Sequence, residues 1–211
     1  MRAAPERSPE RDAALLRALA HVPVMGWGWP ALAAALRGDG MTAEAARLEA
    51  ELLFPGAAAD MVEAFIDLAD REMAGIAAEP GFAELRTTGR VRRLVLGRLE
   101  GLVPHREAVR RSLALPRNAR IAAGSLARTA DEIWHLAGDT AADFSWYTKR
   151  ALLAGVYTAT LLYWLRDDGD DMAATAAFLD RRLAGVGRIG KLRGQVESRL
   201  GALRERMRPA A

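Results

Sequence analysis

Residues Asp131–Leu165, DEIWHLAGDTAADFSWYTKRALLAGVYTATLLYWL, hold the densest signal in the chain. The stretch reads as two helices joined by a short connection. ADEIWHL carries the periodicity of one helix, and Gly138 stands where a helix ends on a left-handed residue. Asp143 is a helix-capping type ahead of FSWYTKRALLAGVYTATLLYWLR, the second helix. Asp131, Trp134 and His135 are spaced i, i+3, i+4 and share a face of the first helix. Trp146 and Arg150 share a face of the second, with Tyr147 beside them. A connection this short favours antiparallel neighbours, so the two clusters are expected to meet at one end of a helical hairpin.

Working outward, the same all-helical reading holds. The 211 residues are 51% hydrophobic, enough for one ordinary domain core. Ala, Leu and Arg dominate, and of the basic residues all but Lys149 and Lys191 are arginine. That usage favours helix. Asp12 to Val22 reads as a first helix with Leu15, Leu16 and Leu19 on one face, followed by a turn at PVMGWGW. Pro30 opens a short helix at the position proline suits best. Thr42 caps AEAARLEAELLF, and Asp60 is expected to cap the longer MVEAFIDLADREMAGI. Three short helices and a long fourth make a helix-turn-helix outline. A further helix runs from about Gly89 and breaks near Pro104. Asp171 is expected to cap MAATAAFLDRRLAGV.

The expected organisation is a loose leader at 1–8, a helix-turn-helix-like subdomain at 9–59, a helical body at 60–190 and a basic amphipathic helix at 191–211. In the last, Leu192, Val196, Leu200, Leu203 and Met207 fall in a stripe about 80° wide at 100° per residue. Arg193, Arg199, Arg204 and Arg206 border it, and Lys191 to Arg208 carries a local charge of +4. Arginine stems beside an apolar stripe suit a helix lying on an anionic membrane. A helix docked on the protein body or on a second copy fits the same pattern.

Several function classes fall away. There is no cysteine, which excludes disulfides, thiol nucleophiles and Cys-ligated zinc. The N-terminal residues have no apolar signal core and carry acidic groups, so a cytoplasmic protein is expected. The uncharged run Ala151 to Leu165 is shorter than the roughly 20 residues of a membrane span, and reads as a buried helix or the wall of an apolar cavity.

Three constellations compete for function. Glu132-x-x-His135 is half of a di-iron ligand pair, but such a site needs two of these motifs and two more glutamates. The other histidines, His21 and His105, have Ala18 and Leu102 three residues before them. No metal ligand and no cofactor is therefore expected. The helix in the DNA-reading position of the helix-turn-helix outline offers Arg47 against Glu44, Glu49 and Glu51. Phosphate contacts need the opposite sign, although a regulator responding to an apolar ligand remains the alternative. The third constellation, Asp131, Trp134, His135, Trp146, Tyr147 and Arg150, has the composition of a protein-contact hot spot.

The motifs Asp131–His135, Ala137-Gly138-Asp139, Asp143-Phe144, Trp146-Tyr147-Thr148 and Arg150-Ala151, with Phe178–Leu183 (FLDRRL), carry a resemblance. The chain resembles the ubiquinone-biosynthesis accessory lipid-binding proteins, specifically from Pro116 to Gly190 and more loosely at the N-terminal outline. The resemblance implies an all-α, tetracycline-repressor-like bundle and a non-catalytic homodimer. It implies a cavity for an isoprenoid quinone intermediate or phospholipid, and a di-iron quinone hydroxylase as partner, without nucleic acid. The six hot-spot residues are the implied partner face. Leu152, Val156, Leu161 and Leu162, from the uncharged run, are candidates for the lipid wall. The basic C-terminal stripe with Arg199 and Arg206 is the candidate membrane contact, and the inner face of a bacterial membrane is the expected location.

Overall fold

The structure, a computed structural model, describes residues 5–115, 119–139, 144–169 and 171–185, without the side chains of residues 119–121, 144 and 145. Among these residues the regular structure is helical. The elements are α1 (Pro9–Ala18), α2 (Val22–Met25), α3 (Trp29–Gly38), α4 (Ala43–Leu53), α5 (Ala58–Gly75), α6 (Thr87–Leu102), α7 (Arg106–Leu113), α8 (Ala119–Leu136) and α9 (Phe144–Trp164). A further helix, α10, occupies 173–185.

Local chemistry explains most of the boundaries. Ser8 accepts the Arg11 N–H at 3.2 Å and starts α1 with Pro9 in its first turn. Thr42 accepts the Ala45 N–H at 3.2 Å and caps α4 as expected. Pro104 sits in a 3₁₀ turn, Val103–His105, that separates α6 from α7. The expected turn at PVMGWGW instead begins with the one-turn helix α2, Pro23 entering at its start. Asp60 does not cap α5. The cap position is Ala57, and Asp60 lies within the first turn and reaches back to accept the Gly56 N–H at 2.6 Å. Leu16 also departs from expectation: Leu15 and Leu19 are buried, but Leu16 is 44% exposed.

The chain forms two compact units, Met1–Tyr157 and Thr158–Ala211. The division falls inside α9. Within the first unit α5 packs on α1, α6 and α8 and so fastens the N-terminal helices to the body. In the first unit Leu15, Leu32, Leu36, Ala46, Ala50 and Phe54 form the core of α1, α3 and α4. Each large side chain buried there contributes about 1.5–3 kcal/mol. The Trp29 indole donates to the Phe54 carbonyl at 2.7 Å and closes the end of α4. The α1–α5 junction is ionic: buried Asp67 accepts from Arg7 at 2.6 Å and Arg71 at 3.1 Å, and Arg71 also binds Asp12 at 2.8 Å.

In the second unit Tyr163 stacks on Phe178 with ring centroids 4.4 Å apart. Asp171, two positions before α10, accepts the Ala173 N–H at 3.0 Å. Asp167 takes the deeper capping role, accepting the Thr175 N–H at 3.0 Å and its hydroxyl at 2.6 Å.

Candidate functional site

The end of α8 is shaped by one residue. Gly138 has φ +87°, the Gly138 N–H donates to the His135 carbonyl at 3.0 Å, and the Asp139 N–H donates to the Trp134 carbonyl at 3.0 Å. These two bonds are a Schellman motif, which stops the helix and turns the chain. The stop places Trp134 and His135 in the last turn of α8. Phe144, where α9 starts, places Trp146 and Arg150 in the opening turns of the next helix.

Side chains join the two ends. Arg150 pairs with Asp131 at 2.5 Å, and its guanidinium lies over the Trp146 ring, 3.9 Å from the centroid. Lys149 pairs with Asp139 at 2.8 Å, and Arg150 approaches the other Asp139 oxygen at 3.7 Å. The Trp134 indole donates to the Lys149 carbonyl at 3.0 Å. Trp146 meets Tyr147 edge to face, centroids 4.7 Å apart. The expected juxtaposition of the two clusters is therefore present, although α8 makes its close helix packing with α5 and α6.

The six candidates divide by exposure into two roles. Asp131, Trp134 and Arg150 are spent on bonds between the helices, and the Arg150 side chain is only 12% exposed. Tyr147 is 70% exposed, His135 is exposed and Trp146 is half-buried, braced from beneath by Arg150. The first group ties the two helices together, and Tyr147 and His135 are open to solvent. Spacing along each helix missed Asp139 and Lys149. Their signal was available as opposite charges on the two sides of one short connection.

The lipid candidates are less united. Leu152 is half-buried, Val156 buried, Leu161 half-buried and Leu162 exposed. Leu152 and Val156 are one turn apart on α9, but Leu161 lies about 180° round from Leu152 at 100° per residue. One helix therefore does not bring all four to a single wall. A cleft of about 330 Å³ in the first unit is lined by Arg7, Asp67, Asp70, Arg71, Arg128, Asp131 and Glu132, with Ala74. Its charged lining suits polar groups and not an isoprenoid tail. Leu192, Val196, Arg199, Leu200, Leu203, Arg206 and Met207 lie outside the described residues, as does Asp143.

Two other readings meet the geometry. Among the described residues no cluster of three or more His, Asp or Glu is placed to hold a metal ion. The α4 helix, in the DNA-reading position, turns Leu48 and Leu52 to solvent, 55% and 74% exposed, and pairs its arginine, Arg47, with Glu51 at 3.1 Å. That surface offers little to a phosphate backbone. No helix among the described residues is long and apolar enough to cross a membrane.

Comparison with known proteins places these features. The family model COQ9 matches residues 119–190, the segment that includes α8, α9 and their connection. A mitochondrial ubiquinone biosynthesis protein COQ9 of Rattus norvegicus is 32% identical over 87% of this chain and 61% of its own length. Its Homo sapiens counterpart is 31% identical over 87% of this chain and 59% of its own length. The Schizosaccharomyces pombe protein is 32% identical over 86% of this chain and 72% of its own length. The chain thus spans about three fifths of the mammalian relatives it matches. Among solved structures, a TetR transcriptional regulator from Nitrosomonas europaea matches with a TM-score of 0.66 at 23% identity. The match covers 84% of this chain and 97% of that one, so the fold is that of a TetR-type helical bundle.

Proposed function

We propose, because this chain belongs to the COQ9 family of ubiquinone biosynthesis proteins, that it is a non-catalytic accessory protein of that pathway. It works as a homodimer, peripheral on the inner face of a bacterial membrane. It binds an isoprenoid quinone intermediate or a phospholipid, and it presents the intermediate to a membrane-associated di-iron hydroxylase.

The observation that carries this reading is the corner between α8 and α9. Tyr147 stands exposed against Trp146, His135 is exposed in the last turn of α8, and the ion pairs of Arg150 and Lys149 hold the two helix ends together. Aromatic groups pre-set on a rigid support bind a partner at little entropic cost. The lipid function draws on α9, whose uncharged surface is not fully buried: Leu152 and Leu161 are half-exposed and Leu162 is open. Burial of an isoprenoid tail against such surface is worth roughly 25 cal/mol per Å² and needs no polar specificity pocket.

A chromosomal deletion followed by quinone analysis tests the assignment. Loss of ubiquinone with build-up of one biosynthetic intermediate is expected; unchanged ubiquinone overturns it. Mass spectrometry of lipid extracted from the purified protein tests the carrier function separately. Co-purified prenyl quinone or phospholipid is the expected result, and a protein that arrives empty and ignores quinone-loaded vesicles overturns it.

A further inference from the structure

The corner that bears Trp134 and Trp146 is held from a third direction. Arg90, in the first turn of α6, lies 47 residues before Ala137 in sequence. Its Nη1 donates to the Ala137 carbonyl at 3.4 Å, and its Nη2 donates to the Ala83 carbonyl at 2.6 Å. Ala83 belongs to a 3₁₀ turn, Phe82–Glu84, and the Arg90 guanidinium stands 6.0 Å from the centroid of the buried Phe82 ring.

The Ala137 carbonyl is one of the four that a helix leaves unsatisfied at its C-terminus. The Schellman bonds serve the carbonyls of Trp134 and His135 and leave that of Ala137 to another donor. A guanidinium with two donors in a fixed fork can bridge two carbonyls in a way that a lysine ammonium does not reproduce. A Cβ at 138 would lie 3.0 Å from Arg90 Nη1, a tight contact that the guanidinium relieves by a shift of a few tenths of an ångström. The left-handed turn is what requires glycine there.

We propose that Arg90 is a positioning residue for the docking face, tying the end of α8 to the Phe82–Glu84 turn so that Trp134, His135 and Trp146 keep one arrangement. The inference rests on the corner being the hydroxylase-binding surface. Arg90 touches none of the exposed aromatics and acts only through the backbone at Ala137 and Gly138. Removing it loosens the corner and leaves the bundle intact, because Val91, Leu94, Val95 and Leu99 of α6 are buried in the core and α6 packs on α5 and α8.

The test compares full-length wild type with Arg90→Ala, Trp146→Ala/Tyr147→Ala and the triple variant. Hydrogen-exchange mass spectrometry is read on each free protein, and affinity is measured for the purified di-iron quinone hydroxylase of the same organism. In Arg90→Ala, exchange is expected to rise in peptides covering 82–84 and 131–139 and to stay unchanged in α1, α3 and α4. Affinity falls roughly threefold to tenfold, the worth of one lost hydrogen bond. Adding Arg90→Ala to the Trp146→Ala/Tyr147→Ala variant costs less than it does in wild type, because only Trp134 and His135 remain for it to position. Exchange raised uniformly over the bundle, or equal losses in both backgrounds, reduces Arg90 to a stability residue and overturns the proposal. Wild-type affinity in Arg90→Ala, with Trp146→Ala/Tyr147→Ala impaired, overturns it while the docking face stands. Wild-type affinity in both overturns the docking face and Arg90's part in it together.

Discussion

At the scale of single residues, two positions make separable demands on the backbone and on protonation. Gly138 is the only residue type that adopts φ +87° without strain. Gly138→Ala is expected to lower unfolding stability by about 1–2 kcal/mol, from the left-handed conformation and the contact with Arg90 together. Urea denaturation monitored by circular dichroism measures this. A loss below the error of the method would mean that the chain turns differently there. His105 makes the other demand. It packs edge-on against Phe65, centroids 6.1 Å apart, and burial pushes its pKa below the ordinary histidine value, with Glu72 partly opposing. The unfolded chain therefore takes up a proton first as pH falls through about 6.5. Unfolding binds that proton, so the contribution of His105 to stability is full at neutral pH and declines in acid. His105→Gln should make the fall in Tm from pH 7.5 to pH 5.5 shallower than in wild type. An equal fall in both proteins would remove His105 from the acid response.

At the scale of elements, a buried polar network sets how α5, α6, α8 and the first part of α9 fit. Arg98 of α6, with a side chain 5% exposed, pairs with Asp70 of α5 at 2.7 Å and donates to the Tyr157 hydroxyl of α9. Thr129 of α8 donates to Asp70 at 2.8 Å. Arg128 of α8 meets the buried Glu63 of α5 at 2.9 Å. Desolvation raises the Tyr157 pKa, so the phenol stays neutral beside the guanidinium. Removing one member of such a network leaves its partner's charge buried. Arg98→Ala is expected to cost about 3–5 kcal/mol, and Tyr157→Phe about 1–3 kcal/mol. Chemical denaturation gives both values, and a Tyr157→Phe variant as stable as wild type would show that Arg98 finds another acceptor. The network also marks where sequence reading stops. Thr42, Pro104 and Gly138 were legible because each acts on its own few residues. The meeting of Trp134 with the start of α9 was legible because the connection is short. Arg98 to Tyr157 and Arg90 to Ala137 bridge 59 and 47 residues, and no local spacing encodes them. Asp60 was misplaced for a smaller reason: a first-turn carboxylate that reaches back to a preceding N–H resembles a cap in composition. The four apolar candidates on α9 were chosen from one uncharged run, which records hydrophobicity but not the helix face.

At the scale of the whole molecule, the question is which large surface this chain approaches. The fold is shared with a transcriptional regulator, and the formal charge is +3. Neither decides the matter, because affinity for a polyanion follows the local distribution of charge and not its sum. The element that would enter a major groove, α4, shows solvent Leu48, Leu52 and Glu44, with Arg47 neutralised by Glu51. A basic segment of net charge +4 lies instead at residues 191–208, where six basic and two acidic side chains are interleaved with leucines. Basic residues at an anionic lipid surface are worth about 1 kcal/mol each, and apolar insertion adds to that attraction. The full-length protein is therefore expected to float with vesicles containing phosphatidylglycerol. Raising salt toward 1 M, where the Debye length is about 3 Å, should weaken the attachment without abolishing it. Truncation after residue 190 should remove it. Under the same conditions at about 150 mM salt, duplex DNA from the region upstream of its own coding sequence should show no shifted band. A salt-sensitive shift that survives Arg47→Ala would trace DNA binding to residues outside α4. A shift abolished by Arg47→Ala, in a protein that ignores vesicles, would return the chain to the regulator class despite its outward leucines.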